Sequence, residues 1–127
     1  MQTLQIKLPY PPSANKYWRR VGRRIIVSNE ARIYKRKVAE IIKNDPSFGD
    51  SPIKIEVDVY FPDKRKRDLD NCIKILFDSL QMKKDSSNNI LSKGLFNDDY
   101  QIQQYSARRA GILKGGEVWL TVQEMKK

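Results

Sequence analysis

Two short acidic motifs stand out in this sequence because of where they fall. Asp68-Leu69-Asp70-Asn71 directly follows the basic run Lys64-Arg65-Lys66-Arg67, and Asp98-Asp99 precedes a strand-like stretch; Asp63 lies close to the first. Carboxylates set among cations suit the hydrolysis of a phosphodiester. The nucleic-acid backbone repels hydroxide and must be neutralised before it can be attacked. Mg²⁺, bound through oxygen ligands and keeping several waters, does this: it polarises the phosphoryl oxygen and lowers the pKa of an attacking water. Such chemistry needs no histidine, and the chain has none. That absence excludes Ser-His-Asp and Cys-His catalysis, histidine general bases and histidine-containing metal sites. The single cysteine, Cys72, excludes internal disulfides and Cys-rich zinc sites and fits a reducing cytoplasm. It falls on an apolar helical stripe and reads as core, not as a nucleophile.

The spacing of the first motif is suggestive. If Asp68 is the N-cap of a helix, its side chain lies outside the spiral and can turn toward Asp70. Asp70 and Lys74 then stand one turn apart, with Asp78 a turn further on. Lys74 is thereby placed to hold Asp70, to bind a scissile phosphate or to stabilise charge developing on it. Taken alone, each motif is better accounted for by ordinary structure. Asp at an N-cap is common and worth about 0.5–2 kcal/mol, an Asp70–Lys74 pair is worth about 0.2–0.5 kcal/mol, and Asp98-Asp99 suits a turn. The surrounding charge brings a catalytic role level with that reading. Lys and Arg number 25 against 15 Asp and Glu, a net charge of +10, which points to a polyanionic partner. Residues 14–40 concentrate this excess. Arg32 to Lys37 reads as the solvated face of a helix. Asn15, Lys16, Arg19, Arg20, Arg23 and Arg24 share a loop with Tyr17 and Trp18, rings that can stack on exposed bases or simply anchor the loop. Tyr60 and Trp119 read as packing residues.

The elements that must position these groups follow from periodicity. The 127 residues suit one domain, 1–127. A mean hydropathy of −0.67 is low, but 39% hydrophobic residues suffice for a core. No stretch approaches the roughly 20 apolar residues of a membrane span, and the N-terminus lacks a signal-peptide pattern. A strand is expected over Thr3–Leu8, ended by Pro9, Pro11 and Pro12, and a short β run over Arg24–Val27. Ser28 caps a first helix reaching about Asn44, with Ala31, Tyr34, Val38, Ile41 and Ile42 as its buried stripe. Ile53, Ile55, Val57, Val59 and Phe61 alternate along a strand with one buried face. A second helix starts at Asp68 and carries the stripe Leu69, Cys72, Ile73, Leu76, Phe77 and Leu80, with Lys83 and Lys84 at its C-terminal dipole. Asp85 to Gly94 reads as a mobile polar loop. Strands over about Tyr100–Arg109 and Glu117–Met125 close the chain. This order gives an α+β domain with helices packed on one face of a largely antiparallel or mixed sheet.

Three blocks carry a family likeness. Leu8-Pro9-Tyr10-Pro11-Pro12-Ser13-Ala14-Asn15-Lys16-Tyr17, Arg65-Lys66-Arg67-Asp68-Leu69-Asp70-Asn71 with Lys74, and Asp98-Asp99 together resemble the RusA family of Holliday-junction resolvases. The likeness runs in order over nearly the whole chain and extends to Ser28 and to Gly115-Gly116. It implies a small α+β homodimer, bacterial or phage-encoded, acting in the cytoplasm on four-way junction DNA in recombination and repair. It implies Mg²⁺, or Mn²⁺ in its place, as the cofactor for paired symmetric nicks, with no organic cofactor and no membrane. By the same resemblance Asp68, Asp70 and Asp99 are the metal-binding catalytic aspartates, with Asp98 beside them. Lys74 is the active-site lysine and Arg67 a basic residue used on DNA. Lys64, Arg65, Lys66 and the basic residues of the 15–24 loop complete the DNA-gripping rim. Two incisions across a two-fold junction call for two equivalent sites, which a C2 dimer supplies.

The chain departs from the family pattern twice. The link over 83–94 is longer than usual, and Asn97 stands where an apolar residue is expected. That link is expected to order, or to close over the site, when metal and DNA bind. The competing reading is a non-catalytic basic DNA-binding module whose acids only cap the second helix and pair with lysines. A nuclease for RNA or flaps would share the same site.

Overall fold

A computed structural model of the chain describes residues 2–13 and 18–125, with only the backbone of Trp18 and Arg19. Asn15 and Lys16 therefore lie outside the described residues. The alternation seen in the sequence makes β4 (Ile53–Phe61) the spine of the molecule. Ile53, Ile55, Val57, Val59 and Phe61 are all buried, while Lys54, Glu56, Asp58 and Tyr60 point the other way. A central strand with one dry face must be paired on both edges and covered once. β4 is flanked by β8 (Glu117–Glu124), antiparallel, and β7 (Ile102–Ile112), parallel, and β1 (Thr3–Pro9) adds antiparallel to β8, giving the mixed order β1-β8-β4-β7. Two helices, α1 (Asn29–Ile42) and α2 (Ile73–Leu80), cover the dry face and share its core. The expected α+β class holds. On the other face Tyr60 and Trp119 pack against each other, ring centres 4.7 Å apart.

Local chemistry fixes the helix ends. Ser28 caps α1 as expected, its Oγ accepting from the Ala31 N–H at 3.2 Å. At the other end Lys93 Nζ donates to the carbonyls of Ile42, the last helical residue, and of Asp45 just past it. Tyr34 Oη donates to the Pro9 carbonyl at 2.7 Å and ties α1 to the exit of β1. The stripe of α1 is narrower than its periodicity suggests: Ile41 is exposed, and Lys35, expected on the solvated face, is half-buried toward α2.

The second helix differs more. It opens as a 3-10 turn over Leu69–Cys72 and becomes α-helical only at Ile73. In α2 itself Ile73, Ile75, Leu76, Phe77, Ser79 and Leu80 are all buried, so Lys74 and Asp78 are the residues that reach its surface. The helix stops at Leu80, and Gln81 turns extended. Lys83 and Lys84 lie beyond the last turn, in β5 (Lys83–Lys84), where the helix dipole no longer acts. β5 pairs with β6 (Ile90–Ser92), so the expected 85–94 loop is a hairpin. The polar residues that suggested mobility build its turn: Asp85 accepts from the N–H groups of Ser87 and Asn89, each at 2.9 Å, and from Asn89 Nδ2 at 3.2 Å. The Arg24–Val27 run is likewise half of a hairpin, β3 (Arg24–Val27) pairing with β2 (Trp18–Val21) around Gly22. The final strands begin and end within two or three residues of expectation.

Gly94 joins the hairpin to α2. Its φ is +62°, and a Cβ there would stand 2.5 Å from the Leu80 carbonyl oxygen and 2.6 Å from the Met82 nitrogen. Those atoms are backbone and already committed, for the Leu80 carbonyl accepts from the Leu95 N–H at 2.7 Å. Gly94→Ala is therefore expected to cost about 2–4 kcal/mol, left-handed strain and overpacking together. A denaturant midpoint close to that of the unaltered protein would show that the close approach is not obligatory.

Candidate active site

The approach to the first acidic motif is pinned at both ends. Pro62 leaves β4, and the chain turns so that Asp63 accepts from the Arg65 N–H at 2.9 Å and from both terminal guanidinium nitrogens of Arg67. This bidentate grip leaves Arg67 only 24% exposed. It also holds the Asp63 carboxyl well below the usual range, down to about 2. From β7, Arg109 donates to the Arg67 carbonyl at 2.5 Å, fixing the peptide that leads into Asp68. Lys64, Arg65 and Lys66 remain exposed, as do Arg20, Arg23 and Arg24 on the β2–β3 hairpin.

Asp68 takes the N-cap backbone conformation, yet its side chain makes no capping bond. Among the described residues neither its carboxylate nor that of Asp70 has a hydrogen bond or ion pair, and both are exposed. Ordinary capping thus does not account for Asp68. With Tyr105 and Arg109 the two acids line a cleft of about 590 Å³ between the 3-10 turn and β7. The expected Asp70–Lys74 pair does not form. A 3-10 turn advances about 20° more per residue than an α-helix, so changing helix type between the two residues rotates Lys74 away from Asp70. Lys74 Nζ instead lies 3.6 Å from Asp78 Oδ1 and 3.8 Å from Asp99 Oδ2.

Asp99 reaches α2 because of the turn it sits on. Asp98 accepts from the Tyr100 N–H at 3.2 Å and caps the 3-10 turn Asp99–Gln101, so its carboxylate serves the backbone. Gln101 reciprocates from a buried position, 2% exposed. Its Oε1 accepts from the N–H groups of Asn97 and Asp98 at 2.9 and 2.7 Å, and its Nε2 donates to the carbonyls of Gly49 and Ser51 at 2.7 and 2.9 Å. Asn97 is accommodated as a polar residue because its side chain donates to Asp50 at 2.6 Å. Cys72 is buried, and burial pushes its thiol up to about 11, which fits its reading as core.

The structure thus brings Asp99 to Lys74 and places Asp68 and Asp70 at the start of the same helical segment. Among the described residues no three acidic or cysteine side chains stand close enough together to hold an ion. The donor chemistry nevertheless suits a hard divalent cation, since the site offers only carboxylate oxygens and two of its acids are uncommitted. Sequence reasoning missed Arg109 and Gln101. The Asp98-x-x-Gln101 spacing of a capping box was the available signal for Gln101; Arg109 carries none, because its role depends on the parallel β4–β7 pairing.

Residues 9–123 match the family described as Endodeoxyribonuclease RusA. The chain is 39% identical over 128 residues to the crossover junction endodeoxyribonuclease RusA of Escherichia coli strain K12. It is 38% identical over 128 residues to that of Shigella sonnei strain Ss046 and 38% over 127 residues to that of Enterobacteria phage 82. Each similarity covers 98% of both chains. No helix of the described residues is long and apolar enough to cross a membrane.

Two outcomes follow from this geometry. Gln101→Leu leaves buried backbone groups without partners and is expected to cost about 2–4 kcal/mol, read as a lowered denaturant midpoint. The Asp63 carboxyl, followed by NMR, is expected to titrate near 2 and not near its ordinary 3.8. Its pKa is depressed by folding, so its pairing with Arg67 stabilises fully above the ordinary value, and that contribution is lost as pH falls through about 2. An ordinary midpoint would mean that Arg67 is not held.

Proposed function

The chain belongs to the RusA family of endodeoxyribonucleases, and on that premise we propose that it is a Mg²⁺-dependent enzyme resolving four-way DNA junctions by paired symmetric nicks. The observation that carries this reading is the 3.8 Å approach of Lys74 to Asp99. It joins two stretches of chain, some 25 residues apart, at the polar edge of one buried helix whose first turn carries Asp68 and Asp70.

Asp68, Asp70 and Asp99 are the residues that would hold the ion, and Mn²⁺, which shares the preference for oxygen ligands, is expected to substitute. When bound, Mg²⁺ supplies charge neutralisation at the phosphoryl group and a lowered pKa for the attacking water. Asp68 and Asp70 suit this because their carboxylates are not spent on the backbone and are free to reorient toward Asp99. Lys74 stabilises the charge that develops on the phosphate oxygens. Exchanging Asp99 for a phosphate oxygen leaves its ammonium still paired, since Asp78 lies 3.6 Å away. Lys64, Arg65, Lys66 and the hairpin arginines grip the junction arms. Arg67, already held by Asp63, works by fixing the chain that leads to Asp68. Two nicks require two such sites, hence a homodimer, working in the cytoplasm where junction DNA arises.

The test is a synthetic mobile four-way junction with Mg²⁺, with matched duplex as control. Paired symmetric nicks in the junction alone are expected. Asp70→Asn should lower cleavage by at least about 10²-fold while junction binding is kept or tightened, because a carboxylate facing phosphate is removed. Lys74→Ala should lower cleavage by about 10²–10³-fold. The wide spacing of the three acids favours one alternative, a basic DNA-binding module without catalysis. A junction that is bound yet uncut with either divalent ion would decide for it.

A further inference from the structure

β4 and β7 pair in regular register over Lys54–Val59, so partner residues there put their side chains on the same face of the sheet. Ile55, Val57 and Val59 of β4 are buried on that face beneath the helices. Their partners on β7 are Tyr105, Ala107 and Arg109. β7 is the outermost strand, and along it the cover gives out: Tyr105 is 53% exposed, Ala107 is half-buried and Arg109 is exposed. The same three side chains line the cleft of about 590 Å³ that also holds Asp68 and Asp70. Its floor therefore presents, in order, an aromatic ring, a methyl group and a guanidinium. The ring is held in place. Phe77, buried in α2, meets it edge to face, with ring centres 5.2 Å apart and planes at 87°. Whichever ring offers its edge, such a contact leaves Tyr105 at least one face that Phe77 does not cover. Arg109 is tied to the Arg67 carbonyl, which fixes the other end of the floor. A supported ring with an open face, next to carboxylates spent on no other group, combines what a nucleotide requires: a surface for a base and acids for the cation that handles its phosphate.

We propose that Tyr105 is a stacking platform for the nucleobase beside the scissile phosphate, with Ala107 leaving the room that the sugar needs. The platform rests on the nuclease reading and deepens it, because it gives the site a reason to prefer a branch point. A base inside a continuous duplex has both faces taken by its neighbours, and freeing one costs unstacking energy. At a four-way branch point the stack is already interrupted, so a base there meets the ring at lower cost.

The test on the unaltered chain is photocross-linking to an immobile four-way junction that carries 5-iodouracil at each branch-point position in turn, bound without divalent metal. The cross-linked peptide is expected to contain Tyr105, and a matched duplex carrying the same base is expected to give no cross-link there. Equilibrium binding of the junction supplies the second arm. Tyr105→Leu is expected to weaken it by about 5–150-fold, the range for losing one stacked base, and Tyr105→Phe, which keeps the ring, to retain it. Ala107→Val narrows the floor without replacing the ring and is expected to weaken binding as well. A cross-link found only elsewhere, no cross-link, or wild-type junction affinity in a folded Tyr105→Leu would overturn the platform, while wild-type nicking with Mg²⁺ left the nuclease reading intact. A junction cross-linked at Tyr105 yet left uncut would sustain the stacking and remove the nuclease reading.

Discussion

The carboxamide of Gln101 uses every hydrogen-bonding position it has: two N–H groups donate to the carbonyls of Gly49 and Ser51, and its oxygen accepts from the N–H groups of Asn97 and Asp98. Ser28 and Ser79 are the other buried polar side chains among the described residues, and each makes one local bond. Gln101 alone of the three ties two distant stretches together. A fully satisfied buried amide admits one arrangement of its partners, and shifting any of them leaves a polar group dry and unpaired. The partners are the turn before β4 and the turn before β7, the two strands that run parallel at the centre of the site. The position of Asp99 relative to α2 is therefore set by an amide that touches no substrate.

Burial imposes the second constraint. With six of its eight residues inside the core, α2 has no freedom to choose which side chains face water. Lys74 and Asp78, four residues apart, are what remains. The polar groups of α2 can therefore lie only along that edge, next to whatever chain crosses it. The turn carrying Asp99 crosses there, which is how a lysine 75% exposed comes to lie beside two carboxylates. A helix this apolar on every other side resists rotation, so Lys74 and Asp78 stand on a rigid element.

How much of this was legible in the sequence depends on whether the cause was local. The β4 alternation, the Ser28 cap, the α2 stripe and the acidic motifs all rest on neighbours in the chain, and they could be read there. The switch of Asp68 to Cys72 into a 3-10 turn could not, because the stripe of apolar positions fits both helix types over one turn. From that single ambiguity came the mistaken Asp70–Lys74 pair. The 85–94 hairpin was hidden for the opposite reason: Asp85, Ser87 and Asn89 are the residues of loops and also those that build a tight turn with their side chains. Lys35 read as solvent-facing because its neighbours Arg32, Arg36 and Lys37 are. Its partial burial comes from tertiary packing, which the local pattern does not carry.

The distribution of charge ties these levels together. A net charge of +10 draws DNA from a distance whatever the details, but over more than a Debye length it carries no information about where a strand is cut. Other cations have had their freedom removed by the fold. Arg67 is clamped by Asp63, Lys74 stands between two aspartates, and Arg109 is spent on the Arg67 carbonyl. Exposed Lys64, Arg65 and Lys66 have no such restraint among the described residues beyond the loose approach of Arg65 to Asp63. The described cations thus fall into an exposed rim and an inner set held by hydrogen bonds and ion pairs. The protein's acids make the separation possible, because a fixed cation needs a carboxylate or carbonyl to hold it.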